Sequence, residues 1–478
     1  MIPKPKQIEL FDEYFQLPYA VKVAYDETDE LMDDLLMTFH RDAYTDLWVD
    51  AGYSRRGGTM QIEFRLKDVG LPHPEGYELR ITKNKIECYA TDVLGFHYAY
   101  QTLLQLFYLA LNHDKGMLQV QTIRDWPSYP WRGMHLDISR HFYDDEEIIP
   151  YSSWMAALKM NQLHLHLSDD QGWRLELERF PELTEKGAWR RIDEYTMYGG
   201  YLDEFNLDEI LGVLEELRIN VVPEIDLPGH AMAILSAYPQ YACFPRDFEP
   251  LSVWGISEDI ICAGNDKAVA FLKELVLEVS DLFPGPYFHI GGDEAPKHRW
   301  KECPKCQKRI KDLGLKDEEA LQGWLIRELQ QTLEQAGKTI MGWDEILDTG
   351  VDEKPIISVW RGDGLDAAKL AVENGNRFVI CPNQYLYFDW RATPGKKGPH
   401  GVTSLEKVMS LNPQDYCFGR PDLLLGGQAN MWTEHTPEFS DVRRMIFPRI
   451  FAAAEIFWNG KAEPDLPERI ARLQGAFK

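Results

Sequence analysis

The chain has 478 residues, enough for one large domain with a smaller companion or for two to three average domains. Hydrophobic residues make up 44% and charged residues 27%, which excludes a disordered or fibrous chain. With 51 Lys plus Arg against 77 Asp plus Glu, the formal charge of −26 repels nucleic acid and anionic membranes, so neither is expected as a partner.

The N-terminal stretch MIPKPKQIELFDEYFQLPYA is broken by prolines and acids and does not read as a signal peptide. No later run approaches the roughly 20 apolar residues of a spanning helix. The seven cysteines are odd in number and scattered, which fits a reducing compartment, and the cytoplasm is the expected location. MQIEFRLK (60–67) alternates like a half-buried strand, and GYELRITKNKIECYATD (76–92) reads as a hairpin turning at Lys83-Asn84. LGFHYAYQTLLQLFYLA (94–110) has helical spacing, and MLQVQTIRDWP (117–127) returns as a strand. Residues 1–125 are therefore expected to form a smaller α+β domain.

From Arg132 onward short apolar strands alternate with longer helical stretches. The candidate strands are RGMHLDIS, NQLHLHLS, NVVPEID, YFHIGG, TIMGWDE, PIISVW, RFVICP and LLLGGQAN, with clear helices at 268–283 and 318–337. This rhythm predicts an α/β fold, a (β/α)8 TIM barrel over residues 126–478. The boundary rests on the change of pattern and on two prolines between Asp125 and Pro130. Barrel enzymes build their sites from the C-terminal ends of the strands. Those ends carry Asp137 and Arg140, Asp169 and Asp170, Glu224 and Asp226, Asp293 and Glu294, Trp343 to Glu345, Trp360 and Arg361, and Glu434. Any one of these residues can be explained as a helix cap; their convergence on one mouth points to a site.

Along a regular strand Asp293 and Glu294 would face opposite ways. Gly291 and Gly292 before them let the backbone leave that geometry, so both acids can reach the mouth. A bland alternative is a turn with acids at a helix N-terminus. His164 and His166 form a His-x-His pattern that a metal-dependent amidohydrolase would use, with His230, His289 and His298 as further ligands. Hydrogen-bonded histidines inside a polar barrel are the better reading, because carboxylates outnumber histidines at the strand ends. Cys303-x-x-Cys306 has no second pair nearby in sequence and reads as two free thiols. Trp343, Trp360 and Trp432 are each explicable as core, but together they would form an apolar box for a small methyl-bearing group.

HIGGDE (289–294) resembles the motif of the β-N-acetylhexosaminidases, glycoside hydrolase family 20. WRGMHLDISRHF (131–142), KMNQLHLHLSDDQGWR (159–174), VVPEIDLPGHA (221–231), GWDEI (342–346), SVWRG (358–362), YLYFD (385–389) and GGQANMWTE (426–434) resemble the family's successive strand-end motifs, in order, with wording closer to its bacterial members. The first 125 residues resemble its smaller N-terminal domain. The resemblance implies substrate-assisted catalysis, in which the 2-acetamido oxygen of the sugar attacks the anomeric carbon with net retention. It implies Glu294 as general acid and then base, Asp293 and Tyr387 as the residues that hold the acetamide, and Trp343, Trp360 and Trp432 as the box around its methyl. It further implies Arg132, Asp389 and Glu434 on the sugar hydroxyls, and Asp169 and His230 as a relay behind Glu294. Tyr385 competes with Tyr387 for the Tyr-x-Asp motif, but only Tyr387 has an Asp two residues on.

The expected function is an exo-acting hydrolase of terminal β-linked GlcNAc or GalNAc on oligosaccharides or glycoconjugates, with no cofactor and no metal. A relative that releases a disaccharide or a sulfated sugar would share these motifs. A non-catalytic sugar-binding protein would lack an acid or the Tyr, and none is missing.

Overall fold

The computed structural model describes residues 1–25, 30–47, 49–50, 60–393 and 401–477. The N-terminal part is a six-stranded sheet with two helices. Its elements are β1 (Gln7–Gln16), β2 (Val21–Tyr25), α1 (Glu30–Leu47), β3 (Met60–Leu66), β4 (Tyr77–Ile81), β5 (Lys85–Ala90), α2 (Val93–His113) and β6 (Met117–Asp125), and the strand order is β1-β6-β4-β5-β3-β2. The β4–β5 hairpin turns where expected, with Thr82 N–H donating to Lys85 O. Asp92 caps α2 by accepting from Leu94 and Gly95 N–H. Met60, Ile62 and Phe64 of β3 point inward and pack on the helices; Phe64 lies 6.1 Å from Phe39 of α1 and 5.4 Å from Phe96 of α2.

The sequence pattern showed none of β1, β2 or α1. In β1 nearly every residue is exposed, and its register on β6 shifts between Leu10 and Tyr14. A strand without a buried face has no alternation to read.

The rest is a closed, all-parallel barrel. Its strands are β7 (Trp131–Asp137), β8 (Gln162–His166), β9 (Asn220–Glu224), β10 (Tyr287–His289), β11 (Thr339–Trp343), β12 (Ile356–Val359), β13 (Phe378–Ile380) and β14 (Leu424–Met431). Each follows its predecessor around the barrel, and β14 closes on β7 through pairs such as Gly427 with Arg132. All eight predicted strands are present, each apolar on the helix side because it is buried on both faces. The helix layer includes α3 (Asp145–Ala157), α4 (Glu204–Glu216), α5 (Asp266–Leu282), α6 (Pro304–Leu313), α7 (Glu318–Gln335), α8 (Leu365–Asn374) and α9 (Arg449–Asn459). A 3₁₀ turn, Asp344–Thr349, stands between β11 and β12. No helix among the described residues is long and apolar enough to cross a membrane.

The N-terminal sheet docks on the closed end of the barrel through buried charge. Lys159 Nζ donates to Asp125 Oδ2 and Tyr77 OH at 2.9 and 2.8 Å and lies over the Trp458 ring. Arg132 donates to Glu75 at 2.6 Å and to Tyr98 OH at 2.8 Å.

Candidate active site

Strand β10 stops at His289, and the glycine turn beyond it accounts for the adjacent acids. Gly291 and Gly292 have φ of +64° and +97°, and Glu294 itself has φ of +47°. A Cβ on Gly291 would sit 1.8 Å from Asp226 Oδ1, so that position needs glycine both for conformation and for room. The turn breaks strand alternation and brings Asp293 and Glu294 to the same cavity of about 220 Å³ at the C-terminal mouth, which both line. Non-glycine residues in the left-handed region cost about 1–3 kcal/mol each and persist where the surroundings hold them. His230, with φ of +47°, is a second such residue in this site.

The two acids sit differently. Asp293 is buried and its Oδ1 has no hydrogen-bond partner. Burial, opposed by the charge of His230, raises its pKa, and the neighbouring Glu224 and Glu294 add to the rise. Asp226, buried beneath it, is pushed well above the usual carboxylate range by burial and then by the charge of Asp293. The Glu294 side chain is 41% exposed and projects into the mouth. Its Oε2 lies 3.7 Å from His230 Nε2, whose ring in turn places Nδ1 3.1 Å from Asp169 Oδ1.

The chain of groups runs further than the sequence indicated. Asp169 Oδ2 lies 2.8 Å from His166 Nε2, and His166 Nδ1 lies 2.6 Å from Glu224 Oε2. Arg140 meets Asp169 at 2.7 Å from the side. Burial alone would lower the His230 pKa, but the charges of Asp169 and Asp226 outweigh it and hold the imidazole well above its ordinary value. Burial would likewise raise Asp169, but Arg140 and His230 hold its carboxyl well below the usual range. The result is an alternation of charge, Glu224, His166, Asp169, His230, ending at the two acids.

His164 and His289 also converge on Glu224, each at 3.1 Å, as does the Trp343 indole at 2.7 Å. These histidines fill the barrel interior, and none of them lines the cavity. The two histidines of the His-x-His pattern are thus hydrogen-bonded inside the polar barrel interior, behind the cavity.

Trp360, Tyr387 and Trp432 line the cavity, with Tyr387 5.8 Å from Trp360 and 6.2 Å from Trp432. Trp360 is held by its backbone N–H on Asp344 at 2.9 Å and its indole N–H on Glu345 at 2.8 Å. Burial, with the charges of Asp293 and Asp344, pushes Glu345 up to about 9, so it is protonated at neutral pH. Trp343, expected in the box, is 1% exposed and lies behind it, 5.8 Å from Trp432; it is a floor rather than a wall. Tyr387 lies alongside Asn430 in a bridge, and Arg449 of α9 secures the following loop by donating to the carbonyls of Phe388 and Trp390 at 2.6 and 2.8 Å. Tyr385 packs under Lys407 instead, so of the two tyrosines it is Tyr387 that faces the site. Asp389 and Glu434 stand side by side on the cavity wall, and Asp389 Oδ1 is buried without a partner. Burial, and then the charge of Glu434, raise Asp389 well above the usual range.

Arg132 is not in the site. It is the second residue of β7 and so lies at the closed end of the barrel, with its three side-chain nitrogens donating to Lys159 O, Tyr129 O, Glu75 and Tyr98. The arginine at the mouth is Arg140, beyond the C-terminal end of the same strand and stacked 4.9 Å over Trp432. Strand direction alone separates the two, since only residues past the C-terminal end reach the mouth. Sequence reading also missed Asn383 and Trp390, which complete the wall.

A second correction concerns Cys303 and Cys306. They are not an isolated pair: Cys243 and Cys262, 41 to 63 residues away in sequence, bring their sulfurs to within 3.7–3.8 Å of them.

A closed parallel barrel with an acid pair, a supporting imidazole and an aromatic-walled pocket at its C-terminal mouth has the architecture of a (β/α)8 barrel enzyme. The chain belongs to glycosyl hydrolase family 20: residues 129–461 match the family's catalytic domain and residues 1–126 match its domain 2. A β-hexosaminidase of Porphyromonas gingivalis is 36% identical over the whole of this chain, which spans 62% of that relative's length. A β-hexosaminidase of Vibrio furnissii is 30% identical over 95% of this chain and 76% of its own. Among solved structures, the β-N-acetylhexosaminidase of Bacteroides fragilis superposes with a TM-score of 0.85 at 31% identity, covering all of this chain and 95% of its own. An exo β-N-acetylglucosaminidase of Vibrio harveyi in complex with N-acetylglucosamine gives 0.86 at 28%, covering 99% of this chain and 76% of its own.

Proposed function

We propose that this protein removes single terminal β-linked N-acetylhexosamine units from glycans, with retention, using the substrate's own 2-acetamido group as nucleophile. The observation that carries the reading is the placement of Asp293 and Glu294 side by side on one cavity wall. A retaining glycosidase that supplies its own nucleophile needs two carboxyls about 5 Å apart across the bond, which chain neighbours are poorly placed to provide. If the acetamide attacks, the roles become compatible with adjacency.

Glu294, exposed at the mouth, protonates the departing glycosidic oxygen and then takes a proton from the incoming water. Asp293 Oδ1, buried and unpartnered, accepts the acetamide N–H, and its charge stabilises the cation that forms as the ring closes. Tyr387 holds the acetamide oxygen from the other side, and Trp360 and Trp432 enclose the methyl. Arg140, Asp389 and Glu434 bind the hydroxyls of the same sugar. His230, kept protonated and oriented by Asp169, sets the position and the local charge of Glu294. The small cavity walled by Trp390 and Glu434 supports release of one sugar rather than two. The buried free cysteines support a reducing, cytoplasmic setting.

Glu294→Gln is expected to lower turnover of an aryl β-N-acetylglucosaminide by about 10²- to 10⁴-fold with an unchanged melting temperature. Substrate assistance is tested with N-fluoroacetyl analogues. Rates should fall steeply as fluorines drain electron density from the acetamide oxygen; a flat series would place the nucleophile on the protein.

A further inference from the structure

The four cysteines away from the catalytic pocket form a site that the hydrolytic reaction does not explain. We propose that Cys243, Cys262, Cys303 and Cys306 bind one structural zinc ion, which staples together the two loops carrying His230 and Asp293–Glu294.

The geometry is that of a tetrathiolate. Sγ–Sγ distances are 3.8 Å for Cys243 to Cys306 and 3.7 Å for Cys262 to both Cys303 and Cys306, and all four sulfurs lie within 4.8 Å of one another. Four sulfurs about 2.3 Å from a central zinc ion, at the corners of a tetrahedron, stand about 3.8 Å apart. A disulfide would bring two of them to about 2.05 Å, and these sulfurs are not paired in that way. Cys262 touches both members of the Cys-x-x-Cys pair and Cys243 touches one of them, so the sulfurs form a single cluster rather than two couples.

The backbone around them suits thiolates. Cys303 and Cys306 straddle the N-terminus of α6, whose free N–H groups and dipole favour negative sulfur. Cys243 and Cys262 each adjoin the bridge that pairs Ala242 with Ile261. Gly264 lies so close to α6 that a Cβ there would stand 2.2 Å from Cys306 N, which gives this turn the tight approach a shared ion requires. A zinc tetrathiolate carries a net charge of −2, which the N-terminus of α6 favours. All four cysteines are buried, at 9% exposure or less, so the site has no open coordination position; it is structural, not catalytic.

Its place in the fold gives it a purpose. Ile261, next to Cys262, donates its N–H to Pro228 O at 3.1 Å, two residues before His230. Ile261 O in turn accepts from the indole N–H of Trp300 at 2.9 Å, six residues after Glu294. Both loops emerge from neighbouring strands, β9 and β10, and both carry left-handed residues that need support.

The test is metal and thiol analysis of the purified full chain after dialysis against EDTA. About one zinc per chain, with seven thiols titratable once the protein is denatured in strong chelator, is the expected result. Cys303→Ser/Cys306→Ser should lose the zinc and melt at least about 5 °C lower, while Cys88→Ser/Cys381→Ser, two buried thiols elsewhere, should keep it. If the first variant does not fold, the wild-type measurement still decides. Seven thiols with no bound metal, or fewer than seven because disulfides have formed, would overturn the site, and iron in place of zinc would overturn the assignment of the ion.

Discussion

Arg132 and Arg140 are eight residues apart, both buried and both paired with carboxylates, yet they belong to opposite ends of the barrel and to opposite purposes. At the closed end every side-chain nitrogen of Arg132 has a protein partner, and Lys159 is likewise engaged with Asp125 and Tyr77. At the mouth Arg140 Nε, His230 Nε2, Asp293 Oδ1 and Asp389 Oδ1 are buried without partners. Burying a polar group unsatisfied costs about 1–3 kcal/mol, so an unpartnered buried atom on a residue that lines a cavity is a place for a ligand to bind. The guanidinium of Arg132 is satisfied by the protein, whereas Arg140, His230, Asp293 and Asp389 line the cavity.

The comparison can be tested by exchanging what each end loses. After Glu294→Gln, the largest effect is expected at Asp293→Asn, which should lower kcat about 10²- to 10³-fold, as loss of a preorganised charge at the reacting centre does. Its melting temperature should hold or rise, because burial already disfavours the charge. A variant that kept wild-type kcat would remove Asp293 from the mechanism.

Arg132→Met should destabilise by about 3–5 kcal/mol, since Glu75 is left without its partner, while kcat/KM of the folded enzyme stays unchanged. Arg140→Met also leaves a buried carboxylate, Asp169, without its arginine and should destabilise, but unlike Arg132→Met it should lower kcat/KM of the folded enzyme by about 10²-fold, mostly through KM. Urea unfolding together with steady-state kinetics separates the two, and equal kinetic losses would erase the distinction between the ends.

The Asp169–His230 pair predicts a pH window. The raised His230 value means its contribution is complete below the ordinary histidine pKa of 6.5 and is lost as pH climbs through the raised value. The lowered Asp169 value means its contribution is complete above 3.8 and is lost as pH falls through the lowered one. Stability measured across pH should therefore hold between about pH 4 and 6.5 and decline as pH rises above 6.5. His230→Asn should flatten that decline by up to about 1.4 kcal/mol per pH unit.

The smallest effect is expected at Asp389→Asn. Its carboxyl is already held toward the protonated form by burial and by Glu434, and the amide keeps a similar shape, so KM should change by about tenfold or less. A loss as large as that at Asp293 would show that Asp389 acts as an anion.

Much of the molecule was legible in the chain because local rules carry it. The eight barrel strands follow from apolar runs buried on both faces, and the break at Gly291-Gly292 follows from the conformations that only glycine takes easily. Asp293, Glu294 and Glu434 lie just past strand ends and fall where the barrel's direction puts them, whereas Tyr387 and Asp389, beyond the helical turn Asn383–Leu386, were pointed out only by the family resemblance. Three things lay beyond local rules. The partners that hold Arg132 at the closed end, Glu75 and Tyr98, come from the N-terminal part, 57 and 34 residues away in sequence. Trp343 occurs in the same kind of motif as Trp360, but Glu224 draws its indole down into the barrel floor. The cysteines lie up to 63 residues apart, a spacing that encodes no proximity until β9 and β10 lie side by side. Spacing along a chain determines contacts within an element; contacts between elements are decided by which strands become neighbours, and only the closed barrel settles that.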